Sequence, residues 1–277
     1  MPKSLSPDQI RRYEEDGFVF PVEVLSPGEA LACRAQLEAY ETATGGPISA
    51  DRRQKAHLLF PWANRLARDP RILDAVEDIL CPDILLWAST FFVKEAGSPA
   101  FVSWHQDATY WGLSGNDVVT AWVALSDAPV ESGAMKFWPG SHKQPILAHE
   151  DSFAEDNLLS RGQEIAVDVP EEEAALIPLK AGQMSLHHVL LVHGSEPNRT
   201  DDRRIGFALR YIPTRLKQTK TEDFAMLVRG EDRFGHFTLE PDPIDALDDA
   251  AVAAHARSID SNVKALYSGT QKTAFRA

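Results

Sequence analysis

The spacing of apolar positions changes character near residue 84. Before that point it is helical. Ser6-Pro7-Asp8-Gln9 combines a capping residue, a proline at the first helical position and a glutamine three residues after the cap, and Gly17 supplies a stop. Phe18-Val19-Phe20 reads as a strand, and Ser26-Pro27-Gly28-Glu29 repeats the capping logic for a helix running to about Thr42. Residues 43–57 are rich in glycine, alanine and charge and read as a loop. Asp69-Pro70 opens a third helix, with Ile72, Leu73, Val76, Ile79 and Leu80 on one face. That face needs a sheet to cover. From Ile84 the pattern turns to short β-rich runs at 84–93, 118–125, 134–138, 164–169, 174–179, 183–193 and 205–212, broken by turn signals such as Pro139-Gly140 and Ala181-Gly182.

Many short strands, helices gathered before them and one more helix after about residue 242 predict a mainly β fold with flanking helices. The expected core is a jelly roll, a double-stranded β-helix of cupin-like form. One domain over 1–277 is expected: N-terminal helices in 1–83, the jelly-roll core in 84–213, and a lid loop with a C-terminal helix in 214–277. Within it, 143–163 and 214–241 read as long insertions without strands, either lids or plain surface excursions.

Composition narrows the function classes. A formal net charge of −13 with no block of lysine or arginine argues against nucleic-acid binding through phosphate contacts. Cys33 and Cys81 are the only two cysteines and both lie in apolar contexts, so a disulfide scaffold or a cysteine-based zinc site is not expected. The N-terminus lacks the apolar region of a signal peptide, and no run approaches the roughly 18 apolar residues of a membrane span. The expectation is a cytoplasmic protein acting on a small molecule, with no nucleic-acid or membrane partner.

The chemistry concentrates in Ser103-Trp104-His105-Gln106-Asp107. On an extended chain, positions i and i+2 share a face, so His105 and Asp107 offer two ligands of a 2-His-1-carboxylate site, the open-sided arrangement suited to non-haem Fe(II). A second H-x-D, His149-Glu150-Asp151, lies in an acidic polar stretch typical of a surface loop. The third ligand should be a distant histidine. His187, His188 and His193 crowd one strand-like run, with His187 and His193 on one face and His188 on the other. His193, at the run's end before Gly194-Ser195, is the best placed; His187 could support the site by hydrogen bonding, and His188 reads as core. Arg204 shares a strand face with Gly206 and Ala208, whose small side chains leave room beside it. A buried guanidinium needs an anion, which a dicarboxylate cosubstrate could provide. Arg210 lies on the same face, where an internal ion pair with an acidic side chain is its plainer reading.

Taken together these residues resemble the phytanoyl-CoA dioxygenase family of Fe(II)- and 2-oxoglutarate-dependent oxygenases. The likeness runs from Leu5-Ser6-Pro7-Asp8-Gln9 and Glu15-Asp16-Gly17-Phe18-Val19 through Trp104-His105-Gln106-Asp107 and Trp122-Val123-Ala124-Leu125-Ser126-Asp127. It continues in Glu131-Ser132-Gly133-Ala134-Met135 and Pro139-Gly140-Ser141-His142-Lys143, and ends at His193-Gly194-Ser195 with Asn198. The resemblance implies Fe(II) held by His105, Asp107 and His193, 2-oxoglutarate held by Arg204 with Ser195 and Trp122 near it, and O2 as the oxidant. Its ligand spacing rejects His149 and Asp151, and it makes His142 structural. It further implies hydroxylation of an unactivated C–H bond of a small metabolite with release of succinate and CO2. Halogenation is disfavoured because Asp107 fills the position that halogenases leave to a small residue. Two rivals share the fold: a non-catalytic cupin-like metal- or ligand-binding protein, and a metal-dependent hydrolase or isomerase. Candidate substrate contacts are Tyr110, Trp111, Trp87, Phe92, Lys94 and Arg210. A small polar or zwitterionic substrate suits an acidic chain without a basic track better than an acyl-CoA does.

Overall fold

The computed structural model describes residues 2–271, 274 and 275. The chain begins with α1 (Pro7–Asp16), β1 (Phe18–Glu23), α2 (Pro27–Thr44), α3 (Pro61–Ala67) and α4 (Pro70–Glu77). There follow β2 (Ile84–Lys94), β3 (Val102–His105), β4 (Val119–Ala124), β5 (Met135–Phe137), β6 (His149–Asp151) and β7 (Gln163–Ile165). Next come β8 (Ala175–Ile177), β9 (Gln183–His188), β10 (His193–Ser195), β11 (Arg204–Pro213), β12 (Phe224–Arg229) and β13 (Thr238–Leu239), and α5 (Asp249–Leu266) is last. The two serine signals form reciprocal caps. Ser6 accepts from the Gln9 amide while the Gln9 side chain accepts from the Ser6 amide, and Ser26 and Glu29 do the same. Gly17 ends α1 with φ 89°, a left-handed conformation that glycine adopts without a Cβ penalty.

A seven-stranded sheet in the order β1-β9-β4-β11-β2-β12-β13 faces a four-stranded sheet in the order β3-β10-β5-β8, and β6 pairs with β7 separately. The architecture is a double-stranded β-helix. Strand alternation on β11 divides its work between two faces. Ile205, Phe207, Leu209 and Tyr211 enter the core shared with the helices, beside Leu58, Trp62, Ile72 and Val76. Phe207 stacks on Phe91 at 4.3 Å, and each such fully buried apolar side chain contributes about 1.5–3 kcal/mol. Ala208, from the other face, packs between the sheets with Trp122, Met135 and Phe137. Arg204 and Arg210 share that inner face and line the cavity there. The sheet therefore turns an apolar face to the helices and a partly polar one to the jelly-roll interior.

Four expectations need correction. Residues 183–193 are not one strand: β9 stays in the large sheet, and the chain crosses through Val189–Val192 to begin β10 in the small one. Because Val189, Leu190, Leu191 and Val192 are all buried, the crossing carries no polar turn signal. Residues 214–241 contain β12, which pairs antiparallel with β2, and the short β13 beside it. Residues 143–163 include β6, half of a hairpin with β7. Residues 43–57 are not wholly a surface loop, since Gln54 bridges to Thr90 and Lys55, Ala56 and His57 are buried under α5 and β2.

Candidate metal centre and cosubstrate seat

His105 closes β3 and His193 opens β10, and the two are direct partners across that antiparallel pair. Their rings lie 4.1 Å apart. The Nδ1–H of His105 faces the carbonyls of Ser103 at 2.9 Å and His193 at 3.0 Å, and that of His193 faces Leu191 O at 2.9 Å. With Nδ1 used as donor, Nε2 keeps its lone pair for a metal. Burial, followed by the neighbouring His105, holds His193 well below the ordinary imidazole value, so it stays neutral as a ligand must.

Asp107 is not on the strand. The chain leaves β3 at Gln106, and Asp107 begins a 3-10 turn, Asp107–Tyr110, that brings its Oδ1 to 3.4 Å from His105 Nε2. One ligand atom each from His105, Asp107 and His193 lies within 4.8 Å of the others, and all three residues are buried. Burial alone would raise the Asp107 carboxyl, but Arg210, His105 and His193 hold it well below the usual carboxylate range. Arg210 Nε stands 3.9 Å from Asp107 Oδ2 and its Nη1 donates to Thr90 Oγ1 at 2.8 Å. The internal ion pair expected of Arg210 thus exists, and its acid belongs to the metal set.

The second H-x-D motif is not on an exposed loop. Half-buried His149 accepts the Gln106 amide at Nε2, 3.0 Å away, while its Nδ1 faces Leu147 O at 2.9 Å. Asp151 accepts from Tyr110 O–H at 2.9 Å and pairs with Arg161, whose guanidinium covers the Tyr110 ring at 3.9 Å. The Gln106 side chain is tied to Leu190 O and the Leu147 amide, each at 2.8 Å. The residues that spacing rejects as ligands therefore grip the loop on which Asp107 sits. His187 lines the inner cavity, but its Nδ1 is buried without a partner and its ring packs 5.0 Å from that of His193. His188 faces away, edge-on to Tyr13, and His142 contacts Glu14 O, so both are structural as expected.

Beyond the metal ligands the inner cavity is closed by Trp122, Ser195 and Arg204. Arg204 is 1% exposed, and its Nη1 donates to Gly133 O while its Nε has no partner. No ion pair forms on it among the described residues, and burial pushes its pKa down to about 10. Its guanidinium sits 5.3 Å from the Trp122 ring. Gly206 makes that floor possible, because a Cβ there would fall 1.8 Å from the indole. An orphaned buried guanidinium with a hydroxyl beside it fits a carboxylate, as two neutral imidazoles and an aspartate fit Fe(II).

A wider cleft of about 870 Å3 opens from Asp107, and Trp87, Trp111, Tyr110, Phe92, Arg161 and Arg210 line it. Trp87 and Trp111 pack at 4.9 Å, with the Trp87 indole N–H donating to Asp223 at 2.7 Å. Lys94, expected in this cleft, is not there: it is fully buried behind Ser195. Thr90, His149 and Arg161 were not foreseen as site residues. Two of them lie in segments whose pairing partners are distant in sequence.

Fold and site together define an iron- and 2-oxoglutarate-dependent dioxygenase, with O2 as the oxidant. Residues 13–206 match the phytanoyl-CoA dioxygenase (PhyH) family, and the chain belongs to it. It is 33% identical over 163 residues to a Stutzerimonas stutzeri protein named "Probable alpha-ketoglutarate-dependent hypophosphite dioxygenase", the match covering 56% of each chain. It therefore spans little more than half of that relative. An ectoine dioxygenase of Bordetella parapertussis is 28% identical over 219 residues, 70% of this chain and 71% of the relative. Among solved structures, the non-heme monooxygenase ThoJ in its apo form aligns with a TM-score of 0.84 and 39% identity, over 94% of this chain and 97% of that one. No helix among the described residues is long and apolar enough to cross a membrane.

Proposed function

We propose that this dioxygenase hydroxylates an unactivated C–H bond of a small amphiphilic metabolite bearing an anionic group, coupled to conversion of 2-oxoglutarate to succinate and CO2. The observation that carries the reading is the juxtaposition of His105, Asp107 and His193, ligand atoms within 4.8 Å, with the orphaned guanidinium of Arg204 in one cavity. In this reading the three side chains hold Fe(II), whose part is the activation of O2 against the cosubstrate and the substrate C–H bond. Arg204 takes the distal carboxylate of 2-oxoglutarate as a charge-assisted pair, with Ser195 as a second donor and Trp122 as the wall beside it. His149 and Gln106 fix the Asp107 turn, so that the carboxylate is placed before any ligand arrives.

Substrate enters by the wider cleft. Its charged lining is Arg53, Arg161 and Arg210 against Asp107 alone, in a chain of net charge −13, which favours an anion. Arg210 bridges the cleft and the inner cavity, and it holds the anionic end near the metal while Trp87 and Trp111 take the apolar part. The test is succinate release from the Fe(II)-loaded enzyme over a panel of small carboxylates and their methyl esters. Stimulation by acids but not by their esters, lost in Arg210→Met, is expected. Equal stimulation by esters would remove Arg210 from the substrate site.

A further inference from the structure

Lys94 and Arg204 are direct partners on adjacent strands, Lys94 closing β2 and Arg204 opening β11. Both are buried, at 0% and 1% exposure. Two cations side by side in a protein interior need an anion between or beside them. The structure gives them none. The acid nearest in sequence to Lys94, Glu95, turns to Arg203 at 2.8 Å, and the Glu196 side chain is 60% exposed and paired to Lys136 at 2.8 Å. Lys94 instead spends its three ammonium hydrogens on neutral oxygens: Ser195 Oγ at 2.7 Å, Ser195 O at 3.4 Å and Glu196 O. Ser195 lines the inner cavity and Lys94 does not.

These contacts constrain Ser195. An oxygen that accepts from an ammonium has its own hydrogen turned away from it. For Ser195, away from Lys94 leads toward the cavity where Arg204 lacks an anion. We propose that Lys94 is a positioning residue of the 2-oxoglutarate site: its ammonium sets the Ser195 hydroxyl as a donor into the cavity and, with Arg204, makes a doubly charged receptor for the distal carboxylate. The inference rests on the cosubstrate seat assigned above. A consequence follows from the charges. Without an anion, burial and Arg204 push Lys94 down to about 6, so at pH 7.5 much of it is neutral. A carboxylate at Arg204 favours the charged form, so binding of 2-oxoglutarate takes up a proton and tightens as pH falls from 8 toward 6. The charged groups against Lys94 are Arg204 on β11 and Glu196 after β10, the latter held by Lys136 on β5.

The experiment uses the full chain loaded with Ni(II), so that no turnover occurs, and titrates 2-oxoglutarate by calorimetry at pH 7.5 in buffers of different ionisation enthalpy. Wild type should take up a fraction of a proton per site. Lys94→Met should lose that uptake and bind about ten- to a hundredfold more weakly, the range for one charge-assisted contact, with Ni(II) affinity unchanged. Lys94→Gln keeps donors for Ser195 and Glu196 O, so it guards against misfolding; it should recover part of the affinity and none of the proton uptake. Lys94→Met with Ser195→Ala should cost less than the two single losses added. Wild-type affinity in Lys94→Met, or undiminished proton uptake, overturns the inference. Normal binding in Arg204→Met would instead overturn the seat itself.

Discussion

Arg204→Met separates stability from function with opposite signs. The methionine roughly fills the arginine's volume and removes a charge that has no anion among the described residues. In the absence of 2-oxoglutarate the only interactions lost are the donor to Gly133 O and the contact over Trp122 at 5.3 Å. Leaving a backbone carbonyl without its donor costs about 1–3 kcal/mol, and relief of an uncompensated buried charge offsets that. Folded stability should therefore stay within about 1 kcal/mol of wild type by urea denaturation. Cosubstrate binding should behave otherwise. Truncating one partner of a buried charged pair costs about 2–5 kcal/mol, which is about thirty- to several-thousand-fold in dissociation constant. The assay is 2-oxoglutarate affinity of the Ni(II)-loaded protein beside its urea midpoint. If Arg204→Met loses several kcal/mol of stability while its affinity for 2-oxoglutarate is unchanged, the guanidinium is a structural group and the seat lies elsewhere.

Anaerobic Fe(II) binding should be lost in His105→Ala, Asp107→Ala and His193→Ala and retained in His188→Ala; retention in His193→Ala would overturn the ligand set. His149→Ala removes the acceptor of the Gln106 amide and should lower kcat about ten- to a hundredfold through a displaced Asp107, with 2-oxoglutarate affinity nearly unchanged. An unaltered kcat would show that His149 does not position the turn. In the pocket of Lys55, His57, Ser258 and Glu240, the Glu240 carboxyl is held down to about 2, against the burial that would raise it, by Lys55 and His57. Its contribution is present above the ordinary value near 4.5 and is lost as pH falls toward 2; burial also lowers His57, which adds acid sensitivity in the same direction below 6.5. Glu240→Gln, leaving Lys55 charged and buried, should cost about 3–5 kcal/mol at pH 7 in urea denaturation and flatten the acid limb. A wild-type acid profile in that variant would show that the pair does not set it.

What the chain discloses by pattern and what it hides divide along a physical line. Local chemistry writes local structure, so the serine caps at Ser6 and Ser26 and the strand alternation of β11 were legible, and with them Arg204 on the inner face beside Ala208. The metal set was legible because H-x-D and a distal histidine are unusual together and the family likeness fixes the spacing. The reasoning that put Asp107 on the strand face of His105 reached the right pair by a geometry the molecule does not use: the strand stops, and a 3-10 turn delivers the carboxylate. Nothing in one sequence marks that stop. It is imposed by Gln106 and His149, and the latter is brought in by a hairpin 43 positions on. Lys94 failed as a substrate contact for the same reason. Its charge suggested solvent or ligand, and only the pairing of β2 with β11, together with the approach of β10, seals it behind Ser195. A buried lysine is costly unless something in its surroundings uses the charge. Here the surroundings are the one place in the chain where a second unpaired cation waits, which makes Lys94 informative because the pattern misplaced it.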